Sequence, residues 1–297
     1  MSGTVTDMTA NTTPDPEETA RARKRFAAIA AGPDSEIDLA EAALWIAAES
    51  CAGLDVAGCR AGIDALADEI VDARDTHRTI GQRVASLNDA LFRVRGFAGD
   101  RNDYYDPRNS FLNHVLERRR GIPISLSVLY VTVARRNGLR AEGISFPGHF
   151  LAKVLPEAGR REDEILVDAF QGRIIGEEEC RVRLQSVLGA QAALARDPLR
   201  AASNKETLFR MLSNLKTIFL HTQRYEQALA CCDRGLLLAP DHAHEHRDRG
   251  LVYQQLGCVR PAVTDLERYL ALAPGDGAAA EIRTVLSVLR GRLPSVH

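Results

Sequence analysis

Between Cys59 and Cys180 the chain has no cysteine at all, and its six cysteines (Cys51, Cys59, Cys180, Cys231, Cys232 and Cys258) never fall into a CxxC spacing. Neither a zinc knuckle nor a redox pair is expected from such scattered thiols, and no disulfide framework either. No apolar stretch approaches the roughly 20 residues that cross a bilayer. Charge is equally unremarkable: 38 Lys and Arg stand against 40 Asp and Glu, for a net charge of -2. That balance supplies no global pull toward nucleic acid or an anionic membrane. A phosphate loop of the GxxxxGK[ST] type, a GxGxxG turn after a strand and an HExxH helix are all missing, so no nucleotide cofactor and no metal are expected. The first 20 residues have neither the basic start nor the apolar run of a secretory signal, and a cytoplasmic location is the expectation. Aromatic residues are only 5% of the chain, with a single tryptophan. Trp45 sits on the apolar face of a helical stretch and reads as core.

What is present is ordinary for a globular protein: 45% hydrophobic and 26% charged residues over 297 positions. That length predicts two domains and a tail, since one core rarely serves so long a chain. The reading is a disordered tail over 1–20, a helical segment over 21–96, a mixed core over 97–176, connecting helices or linker over 177–206, and a repeat unit over 207–297. Within the front segment, apolar residues recur at spacings of three and four over 37–50, 56–74 and 80–95, and Gly32-Pro33-Asp34-Ser35 breaks the first helix. The loop over 97–107, FAGDRNDYYDP, is long for a mere connection. Tyr104, Tyr105, Asp106 and Asn109 in and after it are candidate rim residues for binding, although Asp106 and Asn109 also suit turn shaping and a helix start. Ser110 is placed to cap the helix FLNHVLERRR, which Gly121 ends. The apolar stretch from Ile122 to Gly138 then reads as a buried helix with proline in its first turn. Short β-like runs follow (AEGIS, HFLAKVL, EILVDAF, GRIIG), enough for three or four strands, and DPLRAASNKE reads as a linker.

Phe219, Ala228 and Pro240 return as Tyr253, Ala262 and Pro274, each 34 residues later. An aromatic, a small residue and a proline at that period describe a tetratricopeptide hairpin pair, with small residues where helices approach closely and proline ending each second helix. The segment AAAEIRTVLSVLRGRL supplies a capping helix. Two repeats are fewer than the three or so that usually stand alone. They either brace the preceding domain or grip a partner.

The middle of the chain, with YYDPRNSFLNHVLERRRGIPISLSVLY, GLRAEGISFPGHFLAKV and LVDAF, resembles the transglutaminase-like domain of bacterial SirB-type proteins, which also precedes tetratricopeptide repeats. The resemblance implies a papain-like core of α+β class: a helical N-terminal segment, a small antiparallel sheet and C-terminal α-helical hairpins. It further implies a nucleophile at the head of a buried helix, a histidine on one strand and an acid on the next. The matching positions are His149 in PGHF as base and Asp168 in LVDAF as its orienter. The helix that should carry a thiol begins Gly121-Ile122-Pro123-Ile124-Ser125. Its nucleophile position falls either on Ser125 or on Pro123, in which case no nucleophile exists. Two functions stay open. One is a cytoplasmic protein-interaction or regulatory protein on a degenerate, non-catalytic core, with a protein or peptide partner held by the repeats or the cleft. The other is a hydrolase or acyltransferase using Ser125, His149 and Asp168 on a peptide or amide. His242, His244 and His246 alternate at the head of a repeat helix and read as a solvated face rather than a metal site.

Overall fold

The computed structural model describes residues 14–156, 163–189 and 197–292. The chain opens with five helices, α1 (Pro16–Ala31), α2 (Leu39–Ala48), α3 (Val56–Asp68), α4 (Val71–Arg74) and α5 (Ile80–Asn88), the last running into a π-helical turn, Asp89–Val94. A short strand β1 (Ala98–Gly99) pairs in parallel with β2 (Arg120–Gly121), bracketing the long loop and α6 (Leu112–Arg118). Next come α7 (Pro123–Arg136), β3 (Arg140–Ile144), β4 (Leu151–Leu155), β5 (Ile165–Asp168), β6 (Arg173–Ile175), α8 (Glu177–Leu188) and β7 (Ala201–Ala202). Five more helices close the described chain: α9 (Asn204–His221), α10 (Tyr225–Leu238), α11 (Ala243–Gln255), α12 (Val259–Leu272) and α13 (Ala279–Arg290).

Three local expectations shift. The tail expected over 1–20 extends in part outside the described residues, but Pro16 already starts α1. Asp15 accepts from Glu18 N at 2.7 Å and Glu18 reaches back to Asp15 N at 3.4 Å, a reciprocal cap that starts the helix inside the stretch expected to be tail. Ser110 does not cap α6: the residue before the helix is Phe111, with no side-chain cap, and the Ser110 hydroxyl is buried without a hydrogen-bond partner among the described residues. The DPLRAASNKE stretch is not simply a linker, because Ala201 and Ala202 pair with Ile144 and Gly143 as an edge strand, and α9 begins at Asn204.

The sheet has the order β6-β5-β4-β3-β7 and every pairing is antiparallel. β4 is buried over its first four residues, because both faces of the sheet are covered. On one side lies α7, whose twelve residues from Pro123 to Ala134 are all buried. On the other, Ile144, Phe146, Leu151, Leu166 and Ile175 pack against Cys180 and Leu184 of α8. Burial of this kind is worth about 25 cal/mol per Å² of apolar surface, so α7 is the mast around which the front helices and the sheet assemble. The register sets Val167 opposite Ala152, which brings the end of β5 beside the start of β4.

The repeats form as the 34-residue period predicts, as two hairpins, α9–α10 and α11–α12, with α13 behind them. Phe219, Ala228 and Ala262 are at most 1% exposed, at the close helix approaches that require them. Helix α9 is capped from far away in sequence: Asp34, in the break after α1, accepts from Asn204 N at 3.1 Å and Lys205 N at 2.8 Å. Its two carboxylate oxygens meet two of the donors that every helix start leaves unpaired.

Candidate active site

His149 follows a tight turn, Phe146-Pro147-Gly148-His149, closed by His149 N donating to Phe146 O at 3.0 Å. Pro147 fixes the second position, and Gly148 takes φ +69°, where a side chain would be strained. The turn delivers the imidazole just ahead of β4. Asp168 ends β5 and turns back on itself: its Oδ1 accepts from Phe170 N and Gln171 N, both at 3.1 Å. Since β4 and β5 are neighbours, ring and carboxylate meet, with His149 Nε2 3.0 Å from Asp168 Oδ1. The two groups are within ion-pair range, although the ring nitrogen is not aligned on the carboxylate as in a well-formed hydrogen bond. Arg183 of α8 donates to Asp168 Oδ2 at 2.8 Å and to Glu179 at 2.5 Å. Asp168 is 0% exposed. Burial by itself would raise its pKa, but His149 and Arg183 outweigh that and hold the carboxyl at about 2. The result is a carboxylate that is ionised at neutral pH beside an imidazole.

Ser125 stands in the first turn of α7, and its hydroxyl is committed to backbone groups rather than to His149. It is 0% exposed, and its hydroxyl donates to Asn109 O at 2.6 Å while accepting from Ile122 N at 3.1 Å. Those bonds tie the start of α7 to the loop before α6, the role a first-turn serine commonly plays. Among the described residues no hydroxyl or thiol is hydrogen-bonded to either ring nitrogen of His149. Pro123, the other possible nucleophile position, has no side-chain donor to offer.

The loop residues divide into two pairs. Asn109, 0% exposed, donates to Asp103 O at 2.7 Å and to Asp100 Oδ2 at 3.2 Å, and accepts from Arg118 at 3.2 Å. Asp106 caps Arg108 N at 2.9 Å and ion-pairs with Arg108 and Arg118. Both are scaffold. Tyr104 and Tyr105 are the surface pair, 39% and 68% exposed, their rings edge-on at 5.3 Å. Tyr104 leans edge-on against Phe170 at 6.2 Å, and Phe170 in turn meets the His149 ring at 6.1 Å. Beneath them β1 is pinned by Gly99 N donating to Phe170 O at 3.1 Å, and a side chain at Gly99 would collide with the Phe170 ring. Phe170 and Arg183 were not singled out as site residues in the sequence. Phe170 stands in the quoted LVDAF element, and Arg183 leaves only the i, i+4 spacing from Glu179 as a trace.

A different cysteine does find a histidine. Cys51 Sγ lies 3.6 Å from His114 Nε2, and His114 Nδ1 is 3.5 Å from Glu117. Burial pushes the thiol up from its ordinary value, so it stays protonated and is not an activated nucleophile. A groove of about 530 Å³ nearby is lined by Cys59, Leu66, Phe97, Asn113 and Leu116 and includes none of Ser125, His149 or Asp168. In the repeats, the half-exposed His244 contacts Asp276 at 2.8 Å, and only His246, which contacts Asp265 at 2.9 Å, is largely buried within the second hairpin.

An imidazole just ahead of one strand and an acid at the end of the next, in an antiparallel sheet packed on a buried helix and followed by helical hairpins, are the layout of a papain-like transglutaminase-like core joined to tetratricopeptide repeats. Comparison with known proteins agrees: residues 57–213 match the transglutaminase-like superfamily and residues 215–287 match a tetratricopeptide repeat family. The chain belongs to the transglutaminase-like superfamily. A UPF0162 protein of Xylella fastidiosa (strain Temecula1) is 43% identical over 221 residues, 72% of this chain and 76% of that protein. Protein SirB1 of Salmonella typhimurium is 28% identical over 202 residues, 68% of this chain and 74% of that one. F-box only protein 21 of Pongo abelii is 32% identical over 208 residues, which is 67% of this chain but 32% of that longer protein.

Proposed function

We propose that this chain is a cytoplasmic protein-interaction and regulatory protein whose transglutaminase-like domain keeps the shape of an acyl-transfer site without its chemistry. The carrying observation is the direction of the Ser125 hydroxyl, which donates at 2.6 Å to Asn109 O rather than to His149. A serine far above neutral pKa is useful as a nucleophile only when a base takes its proton. Here the nearest bonds of Ser125 are structural, and the histidine that should be that base faces an acid and an aromatic ring instead. The repeats support an interaction role, since stacked hairpins of this kind present protein-binding surfaces.

A second reading has a specific observation behind it: the Arg183–Asp168–His149 chain is ordered as a base and orienter would be. A hydrolase or acyltransferase would need Ser125 to rotate toward His149. Incubating the full chain with a fluorophosphonate probe separates the two. The proposal expects no labelling that depends on Ser125; labelling of the wild type that Ser125→Ala abolishes would overturn it in favour of the enzyme.

A further inference from the structure

The surface around His149 draws on three parts of the chain. The long loop gives Arg101, Tyr104 and Tyr105; the segment after β5 gives Phe170; and the first repeat helix, α9, gives Arg210. Arg101 sits over the Phe170 ring, its guanidinium carbon 6.0 Å from the centroid. Arg210 reaches across to Ser145, in the turn before His149, with Nη1 3.5 Å from the hydroxyl. It also faces Tyr104: burial raises that phenol, Tyr105 raises it further, and Arg210 pulls it the other way. Neither arginine has a carboxylate partner among the described residues. Of the loop's own acids, Asp100 and Asp106 are turned inward to Arg118, Arg108 and backbone donors, and the exposed Asp103 makes no ion pair with either arginine.

Two cations without counter-ions flank a run of ring faces and edges, and Tyr105 is 68% exposed at its outer end. Guanidinium groups pair with carboxylates, while tyrosine and phenylalanine supply rigid apolar area beside them. We infer that this surface docks an acidic peptide segment of a partner protein carrying an aromatic side chain, its carboxylates on Arg101 and Arg210 and its ring against Tyr104 and Tyr105. A nucleic-acid strand fits less well, since a continuous phosphate backbone would want more than two cations. The inference rests on the non-catalytic reading above. It adds that the old site and the first repeat form one binding surface.

The test uses the full chain and two fluorescein-labelled peptides, Glu-Glu-Tyr-Glu-Glu and Lys-Lys-Tyr-Lys-Lys, followed by anisotropy at low and high salt, with a labelled single-stranded oligonucleotide as a third arm. The expected result is at least tenfold tighter binding of the acidic peptide than of the basic one, weakened by salt. Reversal of both charges in Arg101→Glu with Arg210→Glu should cost at least tenfold, and Tyr105→Ala about threefold, with the circular dichroism of each variant unchanged. Equal affinity for the two peptides, tighter binding of the oligonucleotide, or acidic-peptide binding that survives the charge reversal would each overturn the inference. The probe experiment with Ser125→Ala keeps the two failures apart: loss of peptide discrimination without Ser125-dependent labelling defeats only the docking surface, whereas such labelling defeats the non-catalytic reading itself.

Discussion

The first and second repeat hairpins share a 34-residue period and differ in what they are packed on. Leu208, Met211, Leu212, Leu215 and Phe219 of α9 belong to the same continuous core as α2, α7 and the sheet. The first hairpin is further tied by Asp34 at the head of α9 and by Arg234 of α10, which is 4% exposed and ion-paired with Glu49 at the end of α2. Glu49 also takes Arg23 at 2.8 Å. The second hairpin has a smaller core of its own, with Ala262, Leu266 and Tyr269 against Ile282, Leu286 and Leu289 of α13. It is linked to the first through Val252, which is buried in the main core, through Lys216, which bonds Glu245 at 2.6 Å and Asp248 at 2.8 Å, and through Arg249, which bonds Asp233 at 2.9 Å. A repeat is thus defined by its landmarks but not by its allegiance. One hairpin has become part of the neighbouring domain's core, while the other remains a stacked unit.

The largest expected effect tests that division directly. A chain ending at Ser203 loses the core face of α9 and should fail to fold cooperatively. One ending at Pro240 keeps the first hairpin and should melt in a single transition. Circular dichroism on heating distinguishes them, and a cooperative melt for the shorter chain would mean that the first hairpin is an appendage after all. Next in size is Glu49→Ala. Leaving one partner of a buried ion pair uncompensated costs about 3–5 kcal/mol, and here the orphan would be Arg234, whose pKa burial already pushes down to about 9. Urea denaturation should show the loss in the main transition.

The core difference between hairpins can be sharpened with two equivalent truncations of leucine. Leu215→Ala and Leu286→Ala remove side chains that are 0% and 4% exposed, each at about 2–5 kcal/mol. The first should lower the main transition, and the second should loosen only the second hairpin and α13. Hydrogen exchange read segment by segment is the measurement; equal loss of protection in both regions for both variants would show a single cooperative unit instead.

How much of this was legible follows from the range of each interaction. The hairpins could be read because aromatic, small and proline positions recur within one local unit. The approach of His149 to Asp168 could be anticipated only through the family resemblance, which matches PGHF and LVDAF to neighbouring strands. Other features depend on partners far away in sequence. Asp34 reads as a helix breaker until α9 is found against it, 170 residues on. Arg183 carries no motif, yet it holds the carboxylate. Ser125 is one of the two positions that the resemblance allows for a nucleophile, and only the folded positions of Asn109 O and Ile122 O show what its hydroxyl meets. Asp106 and Asn109 likewise divide from Tyr104 and Tyr105 only once the loop has folded over Arg118.

The smallest expected effect is a pH dependence, and it separates the main body from the second hairpin again. Asp168 is held at about 2 in the folded chain against an ordinary 3.8. A depressed carboxylate stabilises the fold fully above its unfolded value, and the contribution is lost as pH falls from about 4 toward 2. At about 1.4 kcal/mol per unit, it amounts to roughly 2 kcal/mol at neutral pH. Asp168→Asn should therefore lower the main transition by that order at pH 7, and the gap to wild type should close as the pH drops through that window. The second hairpin, which packs on its own core, should keep its exchange protection in the variant at every pH. Urea midpoints from pH 7 to pH 2.5, with exchange measured alongside, decide it: a gap that stays constant with pH would mean that Asp168 contributes through shape and hydrogen bonding rather than through its charge beside His149 and Arg183.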